Sequence, residues 1–247
     1  MAGLNHSLAL HRSLDQRARE RFTSSMRAWV LTDLASQMQK DYEETSAEEG
    51  SSHESGEDVR QFLKERGLFK WYSSLRCATQ ELVWQSVIKA VEADPGSIEK
   101  IGDPNTGQPL GSLTLDKNIA LPEYVETMDV HLMPGNYQGG NSIGAEAGVV
   151  YDNGLDVFSF GVMGKNLDDI GYSMANFTRL KWPDLRPNLI VDVGCTIGHN
   201  TLPWKQTFPE AEVHGLDVAL PCLQYGHARA EAMGVAIQFK QALCDAL

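Results

Sequence analysis

The run Asn188-Leu189-Ile190-Val191-Asp192-Val193-Gly194-Cys195-Thr196-Ile197-Gly198-His199 limits what this 247-residue chain can fold into more than any other stretch. Leu189, Ile190, Val191 and Val193 make a nearly continuous apolar run, the pattern of a parallel strand covered on both faces, and Gly194 permits a tight exit from it. Gly198 lets the following backbone approach a ligand closely. The segment from Leu202 through Trp204 to Phe208 reads as a helix that offers its first N–H groups and positive dipole end to a carboxylate or phosphate. After Phe208-Pro209-Glu210, the run Val213-His214-Gly215-Leu216-Asp217 reads as a second strand, with Asp217 placed 19 positions beyond Gly198. Strand, glycine turn, helix and acid-tipped strand describe a nucleoside-binding βαβ unit: the turn is an anion cradle, and the carboxylate accepts hydrogen bonds from the vicinal hydroxyls of a ribose.

Two cofactor classes combine a nucleoside with an anion. Dinucleotide folds place a pyrophosphate on Gly-x-Gly-x-x-Gly, and here Gly194 is followed by Cys195, Thr196 and Ile197, so the second glycine is absent and NAD is disfavoured. The arrangement resembles motif I of the class I S-adenosylmethionine-dependent methyltransferases, with Asp192, Gly194, Gly198 and Asp217 in the family's positions and Thr196 where its middle glycine stands. Downstream, Phe208 to Val218 and Tyr225-Gly226-His227-Ala228-Arg229-Ala230 are similar to the type 11/12 small-molecule methyltransferases, and the resemblance spans about residues 185–242.

The resemblance implies S-adenosyl-L-methionine as cofactor, a small-molecule methyl acceptor and a Rossmann-like parallel sheet. The cofactor-binding residues it implies are Asp192, Gly194, Cys195, Thr196, Gly198, Asp217 and Val218. Asp192 would orient the methionine amino group, Asp217 hold the ribose and Val218 lie against adenine. Cys195 reads as a small turn filler, since no partner base accompanies it, and His199 as a helix-start residue beside the cofactor. The sequence departs from the family after the third strand, where Ala242-Leu243-Cys244-Asp245 puts Leu243 at the position of an adenine-binding acid or amide, with Asp245 as the nearest substitute. Strand candidates are confined to residues 188–193, 212–217 and 235–240, fewer than the family's full sheet, so the chain reads as a fragment truncated after the third strand. The apolar inner edge this leaves would be covered in part by the N-terminal helices. Two other readings are an NAD-linked oxidoreductase and a noncatalytic interaction module built on the partial sheet.

The remainder divides into a helical region, 1–95, and a Gly/Pro-rich middle region, 96–187, ahead of the partial cofactor domain at 188–247; the fold class is α/β. Residues 7–43 read as one or two helices with Phe22, Met26, Val30, Leu34 and Met38 recurring every fourth position. An acidic segment at 43–58 without large apolar side chains reads as a flexible linker. A second helical block covers 58–65 and, after Gly67, 69–93, with Trp84, Val87, Ile88 and Val91 on one face, and it stops at Asp94-Pro95-Gly96.

In the middle region, Tyr124 to Met133 and Gly148 to Val162 read as extended pieces, and Asn166 to Leu180 as an amphipathic helix. Alternation puts Asp129 and His131 on one side of a strand entering the turn Pro134 to Gly140. That segment reads either as a lid over a substrate pocket, with His131 as candidate general base, or as a structural turn whose Asp and His bond locally.

A net charge of -12, with residues 41–247 holding 15 basic and 30 acidic groups, argues against nucleic acid as a partner. Cys77, Cys195, Cys222 and Cys244 are too scattered for a metal knuckle or a disulfide framework, so no metal is expected and a reduced cytoplasmic setting is. No apolar run reaches the roughly 18 residues that cross a bilayer, and the N-terminus lacks a signal-peptide core, so no membrane association is expected.

Overall fold

The computed structural model describes residues 4, 6–99, 101, 108–116, 118–138 and 145–244; Gly139, Gly140 and Asp245, part of the expectations above, lie outside them. Helix α1 (Leu14–Trp29) opens on a capping box in which the Ser13 hydroxyl accepts the Gln16 N–H and the Gln16 side chain accepts the Ser13 N–H. A π-helical turn, Val30–Leu34, carries it into α2 (Ala35–Glu49). The linker expected from residue 43 is therefore helical as far as Glu49: Glu and Ala are good helix formers, and the chain leaves the helix only at Gly50, where φ is +62°. Ser55 then caps α3 (Gly56–Leu63).

The every-fourth-residue stripe holds only in part. Val30 and Leu34 are buried, but Phe22 is 65% exposed. Steps of four residues drift by about 40° each around a helix of 3.6 residues per turn, so five such positions cannot share one face. The buried face of α1 is instead Glu20, Thr23, Ser24 and Arg27. Glu20 pairs with Arg12 at 2.8 Å, and Arg27 lies 4.0 Å over the Phe158 ring while donating to the Gln80 side chain.

Helix α4 (Gly67–Glu92) buries Trp84, Val87 and Val91 of the expected face, leaves Ile88 half-buried and buries Val83 besides, and α5 (Pro95–Glu99) starts at the expected stop signal. Beyond β1 (Ser112–Thr114), the pieces expected to be extended are helical: α6 (Glu123–Thr127), a 3-10 turn at Val130–Leu132, and α7 (Glu146–Phe158). The glycines of α7 are contact points rather than turn punctuation. A Cβ on Gly148 would sit 2.3 Å from Tyr225 Cβ, and one on Gly154 would sit 2.6 Å from the Trp84 ring.

Helix α8 (Asp169–Lys181) precedes β2 (Leu189–Val193), α9 (Thr201–Thr207), β3 (Glu212–Asp217), α10 (Leu220–Ala232) and β4 (Gln238–Gln241). The sheet is entirely parallel in the order β1-β4-β3-β2, an α/β, Rossmann-like arrangement. β1 was not expected; it joins through Leu113 opposite Phe239, and the Glu231 carboxylate holds its approach by accepting the N–H groups of Leu110 and Gly111.

One hydrophobic core joins α4, α7 and α10 through Trp84, Val149, Val157 and Tyr225; another lies against the sheet through Leu202, Val213, Leu223 and Phe239. Helices α1 and α4 pack on α7, which packs on α10. They do not cover β2, whose Leu189, Val191 and Val193 remain 53%, 42% and 49% exposed, so the expectations of a strand buried on both faces and of an edge sheltered by the N-terminal helices are both corrected. Among the described residues no helix is long and apolar enough to cross a membrane, and no cluster of three or more His, Cys, Asp or Glu is placed to hold a metal.

Candidate functional site

The turn leaving β2 is fastened to β3 by backbone groups. Gly194 and Cys195 both donate their N–H to the Leu216 carbonyl, at 2.8 and 3.0 Å. One residue on, the Asp217 carboxylate accepts the Thr196 N–H at one oxygen and the Ala219 N–H at the other, each at 2.8 Å. The acid at the strand tip and the glycine turn thus form one unit, because parallel pairing sets Val193 beside Leu216. Thr196 adopts φ +49°, a conformation that strains a branched side chain; its bond to Asp217 and its hydroxyl donation to the Cys195 carbonyl at 2.8 Å hold it there.

The two glycines have different work. At Gly194 (φ +78°) a Cβ would meet nothing within 4 Å, so the backbone borders open space. At Gly198 (φ +82°) a Cβ would lie 2.9 Å from Leu202 and 3.1 Å from Phe239, so the absence of a side chain lets the turn pack closely on α9 and the sheet. Asp192 accepts the Thr201 hydroxyl at 2.6 Å and so secures the start of α9. That helix is only seven residues long and lacks a side-chain cap, which limits the dipole expected of it.

A cavity of about 560 Å³ opens beside the turn at the carboxyl ends of β2 and β3, where open α/β sheets bind ligands. Gly194, Cys195, Thr196, Asp217 and Val218 form one wall; Tyr137, Tyr151, His131 and His199 face them. A smaller recess of about 110 Å³ adjoins it, lined by Trp84, His131, Tyr137, Tyr151, Leu155 and Phe158. Its rings interlock: Trp84 stacks on Tyr151 at 6.4 Å between centroids, and Tyr137 meets Tyr151 edge-on at 5.3 Å.

Burial raises the Asp217 carboxyl above its ordinary range against the lowering effect of the N–H groups it accepts. Burial likewise pushes the Cys195 thiol well up, with Asp217 and Asp192 adding to the effect, so it stays protonated and unreactive at neutral pH, in keeping with a turn filler.

His131 borders the cavity, but not from a strand. It sits at φ +60° in the 3-10 turn, its Nδ1 2.6 Å from the Tyr137 hydroxyl, while its carbonyl accepts the side-chain N–H groups of Gln80 and Trp84. The segment thus contributes His131, Asn136, Tyr137 and Gln138 to the cavity lining, and its histidine is engaged locally.

The sequence reading missed the cluster around Asp152 of α7. This fully buried carboxylate receives His199 Nε2 at 2.8 Å, His6 Nε2 at 2.9 Å and the Tyr225 hydroxyl at 2.6 Å, with Arg229 Nε 4.0 Å away. Burial alone would raise its pKa; the hydrogen bonds from His199 and His6 and the charge of Arg229 win and hold it far below the usual carboxylate range. The available signal was Asp152, Asn153 and Asp156 within an otherwise apolar helix, which marks a buried polar network without naming its partners.

Residues 190–247, which span the turn, Asp217 and β4, match a family described as a methyltransferase domain. Comparison with curated proteins and with solved structures gives no match.

Proposed function

We propose that this chain is a class I S-adenosylmethionine-dependent methyltransferase acting on a small-molecule acceptor in the cytoplasm. The observation that carries the reading is the joined unit of Gly194, whose backbone borders open space, and Asp217, whose carboxylate stands in the same cavity wall beside Val218. These residues fit the cofactor. Asp217 has acceptor capacity left for ribose hydroxyls, Val218 offers an apolar face to adenine, and the turn at Gly194, Cys195 and Thr196 receives the methionine end. Asp192 contributes through Thr201 and the placement of α9. Gly198 contributes by packing the turn on Phe239. When bound, the cofactor supplies an electrophilic methyl group on a sulfonium; the protein aligns donor and acceptor and excludes water.

The aromatic recess supports an acceptor with a flat apolar portion, since a space of about 110 Å³ suits a single ring. Net charge -12 sets the surface against polyanions. NAD fits less well, because Thr196 puts a branched side chain on the turn where a pyrophosphate needs glycine. Titration calorimetry tests the reading: S-adenosylhomocysteine binds, NAD does not, and Asp217→Ala weakens binding by at least about tenfold, the worth of hydrogen bonds to a charged group. Absence of S-adenosylhomocysteine binding by the folded chain overturns it.

A further inference from the structure

Four side chains, His131, Tyr137, Tyr151 and Leu155, line both the large cavity and the aromatic recess, so they form the partition between the two spaces. Within that partition the backbone under Tyr151 is well fixed. Asp152, the next residue of α7, is held by three donors, and Gly154 lies so close to the Trp84 ring that a Cβ would sit 2.6 Å from it. The Tyr151 ring stacks on Trp84 at 18° between planes and has the rings of Tyr137 and His199 at 5.3 and 5.8 Å. Its hydroxyl comes within hydrogen-bonding reach of the Thr196 hydroxyl on the cofactor turn. Thr196 Oγ1 gives its own proton to the Cys195 carbonyl, which leaves Tyr151 to donate, and burial keeps that phenol protonated at physiological pH. Tyr137 is engaged elsewhere: its hydroxyl meets His131 Nδ1 and its carbonyl accepts the Cys222 thiol.

We infer that Tyr151 is a positioning residue that makes acceptor and cofactor binding mutually dependent, because its ring walls the recess while the same side chain faces Thr196 across the cofactor cavity. The inference rests on the methyltransferase reading and deepens it. The recess of about 110 Å³ has room for one ring, and a change of χ1 can turn the half-buried Tyr151 ring into it. That rotamer takes the hydroxyl away from Thr196, which sits at φ +49° and depends on its hydrogen bonds to stay there. An aromatic group in the recess excludes the rotamer and keeps the hydroxyl at the turn. A cofactor on the turn holds Tyr151 there and keeps the recess open. Each ligand removes a conformation that opposes the other, and by linkage both gain the same factor.

Two probes test this: S-adenosylhomocysteine for the turn, read by calorimetry, and fluorobenzene for the recess, read by fluorine-19 NMR. In the wild-type chain, saturating fluorobenzene strengthens S-adenosylhomocysteine binding by about fivefold or more, and S-adenosylhomocysteine strengthens fluorobenzene binding by the same factor. Tyr151→Phe keeps the ring and its stacking without the hydroxyl; both probes still bind, and the mutual gain drops below about twofold. Thr196→Val, which removes the partner hydroxyl from a side chain of the same shape, loses the gain as well, and Thr196→Ser keeps it. A merely structural role would move the separate affinities or the unfolding midpoint and leave the factor unchanged. Failure of the cofactor reading is seen without fluorobenzene, as absent S-adenosylhomocysteine binding by the folded wild-type chain. Binding of S-adenosylhomocysteine that fluorobenzene leaves unchanged, or a gain that persists in Tyr151→Phe, overturns the inference on its own. A fluorobenzene signal that survives Leu155→Trp, which fills the recess, places the ring elsewhere and overturns it too.

Discussion

The two walls of the cavity are held in opposite ways. The glycine turn depends on backbone groups within a short βαβ stretch: Gly194, Cys195 and Thr196 donate to Leu216 and Asp217, which parallel pairing already sets alongside. Opposite, His199 is tied to a cluster of side chains from distant parts of the chain, in which His6, His199 and Tyr225 converge on Asp152. Backbone fastening survives many side-chain changes, whereas a hub built on one carboxylate does not. The comparison therefore makes the helical wall the fragile side and the turn the side on which substitution costs binding before it costs stability.

The largest expected effect is at the hub. Asp152→Ala leaves three donors without an acceptor and Arg229 with Asp168 as its remaining carboxylate neighbour, and it should destabilise the fold by about 3–5 kcal/mol, read as a lower urea midpoint. Asp217→Asn, which keeps one acceptor oxygen for the turn, should cost about 1 kcal/mol or less while weakening S-adenosylhomocysteine binding. Equal stability losses would break the contrast between the walls.

The glycines sharpen it next. Gly148→Ala drives a methyl group to 2.3 Å from Tyr225 Cβ and 3.1 Å from the Pro221 carbonyl, at an expected cost of about 1–3 kcal/mol in stability with cofactor affinity retained by the folded fraction. Gly194→Ala meets no neighbour and pays only backbone strain of about 1–2 kcal/mol, but its methyl group enters the space beside the cavity and should reduce S-adenosylhomocysteine affinity. Thermal unfolding and calorimetry on both variants should rank them in opposite orders.

Asp217 ties binding to pH. Its carboxyl titrates above the usual carboxylate range in the free protein, and ribose hydroxyls need the ionised form as acceptor. S-adenosylhomocysteine affinity should therefore fall as pH drops through that raised pKa, sooner than an ordinary aspartate would allow. The Asp217→Asn protein should bind more weakly and without this acid limb.

The difference between the walls also explains what the sequence disclosed. Asp192, Gly194, Gly198 and Asp217 sit at spacings dictated by one strand-turn-helix-strand path, so local pattern located the turn, the second strand and the acid before any contact was known. Gly148 and Gly154 give no local sign of a helix, because glycine marks a loop and a close helix crossing alike; what separates them is Tyr225 or Trp84 on the other side, and neither is near in sequence. The acidic run from residue 43 reads as a linker because it has nothing to bury, yet α2 proceeds through it on propensity and ends at Gly50. His131 attracted notice by its glycine-rich surroundings, whereas His199 passed as a helix-start residue because its carboxylate partner lies 47 positions upstream.

The smallest effect tests the fragile wall without removing its hub. His199 titrates below its ordinary range in the fold, so beneath about pH 6.5 the unfolded chain takes up a proton at this position that the native chain resists. Native stability conferred by a neutral His199 is thus complete at higher pH and is lost as pH falls. His227, also lowered by burial, and Asp152, held low, work in the same direction, the latter at still lower pH, whereas the raised carboxyls of Glu20, Asp156, Asp168 and Asp217 work against it. Only the difference between wild type and His199→Gln isolates the ring. Urea unfolding at pH 7.5 and pH 5.5 should show wild-type stability falling relative to the variant, by no more than the roughly 1.4 kcal/mol per pH unit that one proton allows. A difference that is flat over this range would mean that His199 takes up its proton as readily in the fold as out of it, and the wall would then lack the neutral imidazole assigned to it.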